Sequence, residues 1–314
     1  MLAPAWADHR GGLQPDKRAR TLRGDHRQPG GRQALKPRNI ILTGVPRSGT
    51  TLCCNLLGQA SDTVALFEPM PVHELPLQHD VAAAEVAAFF KRSRASLLNS
   101  GMAASQQAEG LVPDNPFGSE VGANGIRVRK VQLGDIRVEK PLSPEFTLVV
   151  KHNAAFTALL PALLPLFECY ALVRNPLAVL ASWNSVDLPV ASGRLPAGER
   201  LAPALRVRLD AEPDVLERQL LLLDWLFERF DRCLPRERIM RYEQLVASGG
   251  NALAATLAVA VPPLPLRNRN ANRLYDTGAC ERYAERLHRH DGPWRGFYGD
   301  ADVAGALNAL QGGQ

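Results

Sequence analysis

The chain has 314 residues, 46% of them hydrophobic, enough to bury one large α/β core. Its formal charge is +5, but residues 1–38 hold nine Lys/Arg against three Asp, so that segment is +6 and the remainder −1. A folded body without net positive charge argues against a nucleic-acid partner, and five cysteines with no C-x-x-C pair argue against a zinc site or a disulfide framework.

Residues 1–37 are rich in Gly, Pro and Arg and lack apolar periodicity, which predicts a disordered basic tail ahead of a single domain over 38–314. No signal-peptide core stands at the N-terminus, and the expected localisation is cytoplasmic. The first apolar run, Asn39–Thr43, is of strand length. It enters the loop Gly44-Val45-Pro46-Arg47-Ser48-Gly49, and a helical run from Gly49 to Gln59 follows. Strand, Gly-bounded loop and helix N-terminus together aim backbone N–H groups at one point, an arrangement that holds an oxyanion. The spacing Gly44-x4-Gly49 is that of a nucleotide P-loop, yet Thr50 stands where an ATPase or GTPase has Lys. Thr51 takes the place of the Mg²⁺-binding hydroxyl, and Arg47 supplies the positive charge instead.

Further along, Asp62–Leu66 leads to a strand end at Phe67-Glu68-Pro69, and Val81–Phe90 with Lys91–Leu98 predicts an amphipathic helix. Residues 99–125 read as loop, and Ile126–Val138 as a hairpin turning at Gly134-Asp135. Phe146–Lys151 is a strand, Ala155–Leu166 a helix and Phe167–Val173 a strand. The stretch 154–173 is apolar enough to suggest a membrane span, but Pro161, Pro165 and Glu168 divide it, and no transmembrane segment is expected. Phe167–Val173 ends in Arg174-Asn175-Pro176, and the helical run Leu177–Trp183 follows. Arg174 thus stands at the carboxyl end of its strand, where open α/β sheets bind ligands. Ser182, two helical turns on, returns to the same side, and Arg with a hydroxyl suits a second phosphate. Residues 189–213, punctuated by Gly, Pro and Arg, predict a lid or acceptor loop. Val215–Cys233 is an amphipathic helix with Leu216, Leu220, Leu223, Phe227 and Phe230 on one side, and Arg238–Tyr242 is a short strand.

Two anion sites on one parallel sheet, carried by these residues, resemble the sulfotransferases that use 3′-phosphoadenosine 5′-phosphosulfate (PAPS). Pro46-Arg47-Ser48-Gly49-Thr50-Thr51 resembles their 5′-phosphosulfate loop, and Arg174-Asn175-Pro176 with Ser182 resembles their 3′-phosphate motif. Arg241-Tyr242-Glu243-Gln244-Leu245-Val246 is similar to their R-Y-E-D-L block. Over about residues 38–260 the resemblance implies a P-loop NTPase-like, three-layer α/β/α fold with a central parallel sheet and acceptor-side insertions at about 72–140 and 186–214. It implies PAPS as co-substrate, adenosine 3′,5′-bisphosphate (PAP) as product, and no metal. The contacts it implies are Arg47, Ser48, Gly49, Thr50, Thr51, Leu52, Arg174, Ser182 and Tyr242. A C-terminal R-K-G-x-x-G-D-W segment, a mark of the cytosolic branch, is absent; Trp294–Asp300 lacks its order, which points to the carbohydrate- and tyrosylprotein-type branches.

Sulfuryl transfer relies on positioning and charge stabilisation, so Arg47 and backbone donors suffice without a metal. The acceptor must lose a proton. Glu68 resembles the glutamate base of the carbohydrate and tyrosylprotein branches, whereas His152 resembles the histidine of the K-T-H segment in the cytosolic aryl and steroid branch. Here Lys151 and His152 are adjacent, and one step along a strand reverses a side chain. Lys151 is placed to stabilise the leaving oxygen or the sulfuryl group. Both bases stay open, as do two other functions: a P-loop nucleotide kinase and an inactive nucleotide-binding protein of sulfotransferase fold. Small-molecule, glycan, lipid and peptide acceptors are all compatible with the chain, as is any oligomeric state.

Overall fold

A computed structural model describes residues 37–122 and 126–312; the tail expected over 1–37 lies, Pro37 apart, outside the described residues. The order runs β1 (Arg38–Gly44), α1 (Thr50–Gln59), β2 (Thr63–Phe67), α2 (His79–Ser100), then four strands of two small ribbons, β3 (Met102–Gln107), β4 (Phe117–Val121), β5 (Arg127–Arg129) and β6 (Gln132–Arg137). The main sheet resumes with β7 (Thr147–Lys151), α3 (Ala154–Leu163), β8 (Glu168–Val173) and α4 (Pro176–Trp183). Helices α5 (Pro196–Leu201), α6 (Pro203–Ala211) and α7 (Val215–Cys233) precede β9 (Ile239–Arg241), and α8 (Tyr242–Ala247), α9 (Asn251–Leu257), α10 (Thr277–Arg289) and α11 (Asp300–Gly312) close the chain.

Five strands form one sheet in the order β2-β7-β1-β8-β9, every neighbouring pair parallel. Parallel strands buried on both faces read as continuous apolar runs, and this is what Ile40-Ile41-Leu42 and Leu148-Val149-Val150 are. Alternation along β1 divides the layers. Ile40 and Leu42 pack with Cys53 and Leu57 of α1 and Leu253 of α9, while Ile41 packs with Phe156 of α3, Leu180 of α4 and Phe227 of α7. The α/β/α architecture expected from the sequence is therefore present. Helix α7 carries Leu220, Leu223, Phe227 and Phe230 into the core at 1% exposure or less, each burial worth about 1.5–3 kcal/mol. Asp214 caps it, accepting from the Glu217 N–H at 2.9 Å.

Three sequence expectations are corrected. Residues 99–125 contain β3 and β4 rather than loop alone. Residues 126–138 are no hairpin: β5 pairs antiparallel with β4, and β6 with β3. Gly134 and Asp135 lie within β6 opposite Ser105 and Ala104; Gly134 makes room for the Gln107 side chain, whose Nε2 would stand 3.0 Å from an added Cβ. Residues 189–213 are mostly helical: a 3₁₀ turn at Pro189–Ser192, then α5 and α6, each begun by proline. Proline at a first helical position starts a helix, because its missing N–H would be unpaired there anyway.

Candidate active site

The connection from β1 leaves toward β2 and that from β8 toward β9, so the sheet changes direction between β1 and β8, the place where open α/β sheets form a ligand crevice. Both anion-binding candidates emerge there. Gly44 ends β1 against β8 so closely that an added Cβ would lie 2.4 Å from the Leu172 carbonyl oxygen. Val45 N–H donates to that same oxygen at 3.0 Å, locking the loop to the neighbouring strand. Gly49 stands at the N-terminus of α1 with φ of 100°, and a Cβ there would meet the Tyr242 ring at 2.8 Å.

Arg47 adopts φ of 71°, a left-handed conformation costing a non-glycine residue roughly 1–2 kcal/mol. Its Nε donates to Ser182 Oγ and its Nη2 to Asn115 Oδ1, both at 3.2 Å, while its Cζ lies 4.7 Å from the centre of the Phe117 ring. Burial lowers the guanidinium to about 9; Tyr275 opposes the shift and Arg127, Arg174 and Arg269 add to it.

Arg174 follows β8 and is 5% exposed. Its Nη1 donates to the Arg47 carbonyl at 2.9 Å, its Nη2 to the Arg269 carbonyl at 2.6 Å and its Nε to Asn270 Oδ1 at 2.8 Å. The guanidinium stacks 4.7 Å from the centre of the Tyr242 ring, whose hydroxyl accepts from the Arg269 N–H at 3.1 Å. Glu243, next in the Arg241-Tyr242-Glu243 block, accepts from Asn175 N–H at 3.0 Å, Asn270 Nδ2 at 2.8 Å and Tyr298 OH at 2.8 Å. That block therefore braces the turn after β8 and the segment around Asn270. Tyr275 lines the same cavity. Burial raises its phenol, but Arg174, Ser182 and Arg47 outweigh burial, and the net direction is down.

Glu68 follows β2, and Lys151 ends the adjacent strand β7. Glu68 N–H donates to the Lys151 carbonyl at 2.8 Å, and Lys151 Nζ donates to Glu68 Oε1 at 2.6 Å. Burial pushes the Glu68 carboxyl up, but Lys151, His152 and Arg129 prevail and hold it below the ordinary carboxylate value. Lys151 Nζ also lies 4.6 Å from the centre of the Phe67 ring. His152 is buried, its Nε2 accepts the Met70 N–H at 3.2 Å, and its ring stands edge-on to Phe156. Burial brings it to about 4, so it is neutral at pH 7.

These groups surround a cavity of about 420 Å³. Of the sequence candidates, Arg47, Gly49, Thr50, Thr51, Leu52, Glu68, Lys151, Arg174 and Tyr242 line it. Ser182 is fully buried behind Arg47, and His152 stands behind Met70. Ser48 is also fully buried, and its Oγ has no hydrogen-bond partner among the described residues. Thr50 Oγ1 donates to Asn153 Oδ1 at 3.2 Å. Eight cationic side chains line the cavity, Arg47, Arg127, Arg129, Lys151, Arg174, Arg194, Arg267 and Arg269, against the carboxylates of Glu68 and Asp114. Sequence reasoning missed Arg127, Arg129, Arg267, Arg269, Asn115 and Tyr275. A signal existed in Arg267-Asn268-Arg269-Asn270, a polar run that belongs to no periodic segment.

No family model and no curated protein matches the chain. Among solved structures, the sulfotransferase STF1 from Mycobacterium tuberculosis H37Rv aligns over 88% of this chain and 77% of its own, at 13% identity and a TM-score of 0.29. A similarity that low bears on neither activity nor mechanism.

Proposed function

We propose that this chain transfers the sulfuryl group of PAPS to an acceptor hydroxyl and releases PAP. The observation that supports this most is the meeting of two oxyanion-binding elements: Arg174, from the end of β8, hydrogen-bonds the Arg47 carbonyl inside the loop after β1. A ligand spanning both carries negative charge at two separated points. PAPS, with a phosphate near −2 and a phosphosulfate, carries roughly four charges, which suits eight cations facing two carboxylates. The unpartnered Ser48 hydroxyl also fits a ligand rich in acceptor oxygens. A Walker lysine, by which a nucleotide kinase reaches its phosphates, is replaced by Thr50.

In this reading Arg47, Ser48, Gly49, Thr50 and Thr51 hold the 5′ group beside Leu52, and Arg174 and Tyr242 hold the 3′-phosphate, with Ser182 behind Arg47 orienting its guanidinium. The donor supplies the sulfuryl group and a phosphate leaving group. Glu68, ionised at neutral pH, accepts the acceptor's proton. Lys151 holds Glu68 in place and offers its remaining N–H groups to the oxygens that gain charge. His152 acts through Met70, fixing the chain that follows Glu68. Calorimetry with PAP and with ATP–Mg²⁺ tests the reading. Uptake of PAP without metal is expected; failure to bind PAP, or a preference for ATP–Mg²⁺, overturns it.

A further inference from the structure

The ends of β2 and β7 and the segment from Leu188 to Pro196 line the same cavity. That segment is held in place on several sides. Helix α5 packs on α3, the helix that follows β7. Leu201 carbonyl meets His79 Nε2 at 2.7 Å, and Arg200 Nη2 donates to the Leu75 carbonyl. Its apolar lining residues are Leu188, Pro189, Val190, Leu195 and Pro196, and Phe67 lines the cavity too. None of these side chains has a hydrogen-bonding atom.

The polar groups nearby are engaged with one another. Glu68 is bound by Lys151, and Asn153 by Thr50. Arg194 is held by Glu199 and Asp210, and Arg127 donates to the Gly118 and Phe117 carbonyls. Arg129 donates to Gln106 Oε1. A polyhydroxylated sugar laid against Leu188, Val190 and Leu195 would lose water from the hydroxyls facing that wall with no partner there for them, at about 1–3 kcal/mol each. An acidic peptide would find Arg129 as its main cation, since Arg47, Arg174, Arg267 and Arg269 are tied to one another or to Tyr242, and Arg194 and Arg127 are already held.

We infer that the acceptor is a hydroxyl carried on an apolar body, an aromatic or long-chain alcohol, with that body against Leu188, Val190 and Leu195 and its oxygen at Glu68. This rests on the sulfuryl-transfer reading and names its second substrate class. In the step, the hydroxyl proton passes to the Glu68 carboxylate and the oxygen forms the new bond to sulfur. The bond from sulfur to the phosphate oxygen breaks, and its electron pair leaves with PAP.

Calorimetric titration of 2-naphthol and of 1-octanol into protein saturated with PAP tests the inference. A ternary complex with at least one of them is expected. Leu188→Glu should weaken that complex about tenfold or more while PAP affinity stays unchanged, because a carboxylate then faces the apolar body. Failure of both probes to bind at millimolar concentration overturns the inference. So does indifference of their binding to Leu188→Glu, or transfer from PAPS to an oligosaccharide or an acidic tyrosine peptide but to neither probe. If PAP itself does not bind, the sulfuryl-transfer reading fails at that earlier step, and the same titration of unliganded protein still decides whether the apolar wall takes the probes.

Discussion

Replacing Arg174 by Ala separates the ligand-binding role of this side chain from its structural one. The wild-type guanidinium makes three hydrogen bonds, to Asn270, to the Arg47 carbonyl and to the Arg269 carbonyl, and it is 5% exposed. Truncation leaves two carbonyls without that donor, and each costs about 1–3 kcal/mol if water does not reach it. Denaturant unfolding should therefore record a loss of about 2–5 kcal/mol. For the ligand, one charge-assisted contact to phosphate is worth about 1.5–3 kcal/mol, or roughly tenfold to 150-fold in Kd. Comparing PAP with adenosine 5′-phosphate, which lacks the 3′-phosphate, isolates this term by calorimetry. Wild type should prefer PAP by at least that factor, and Arg174→Ala should lose most of the preference while its affinity for adenosine 5′-phosphate changes little. Equal weakening of both ligands would refute the assignment of Arg174 to the 3′-phosphate and leave it as a brace between the loop and the Asn270 segment.

Gly44→Ala should lower Tm by several degrees or prevent folding, since its Cβ would lie 2.4 Å from backbone oxygen that cannot move aside; a thermal melt within a degree of wild type would contradict the close approach of β1 and β8. Glu68→Gln should abolish measurable transfer with PAP affinity retained, and retained turnover would remove Glu68 as the base. Because the Glu68 carboxyl lies below its ordinary value, the acid limb of wild-type kcat should fall at lower pH than an ordinary carboxylate would give. In Lys151→Met the acid limb of the kcat profile should move to higher pH, and an unmoved limb would separate Lys151 from Glu68. His152, depressed to about 4 when folded, takes its proton more readily when unfolded. Stability should fall as pH drops from about 6.5 to about 4, by about 3 kcal/mol from this group. His152→Gln should lack that part of the slope, so the fall should appear in the difference between the wild-type and variant stability curves.

The loop after β1 was legible because its chemistry is local: strand, Gly44, Arg47, Gly49 and helix lie within one short stretch, and spacing alone implies an anion site. The strands β1, β2, β7 and β8 were legible for a related reason, since strands buried on both faces leave an apolar run that needs no partner to be seen. The ribbons were not. Alternation marks a strand but not its partner, and β6 joins β3 from across an intervening pair. Prolines 189, 196 and 203 were read as interruptions because the local code for starting a helix and for breaking one uses the same residue.

The sequence by itself determined that two cationic turns of a kind suited to anions exist, one after β1 and one after β8, and that a parallel sheet bears them. The tertiary structure alone decided that Arg174 meets the Arg47 carbonyl and that Ser182 faces Arg47. It also placed Lys151 on Glu68, and Arg127, Arg269 and Tyr275 at the same cavity. Motif chemistry depends on neighbours within about ten residues, which any local reading includes. Convergence depends on strand order and on segments a hundred residues apart, whose positions are fixed only when the core closes.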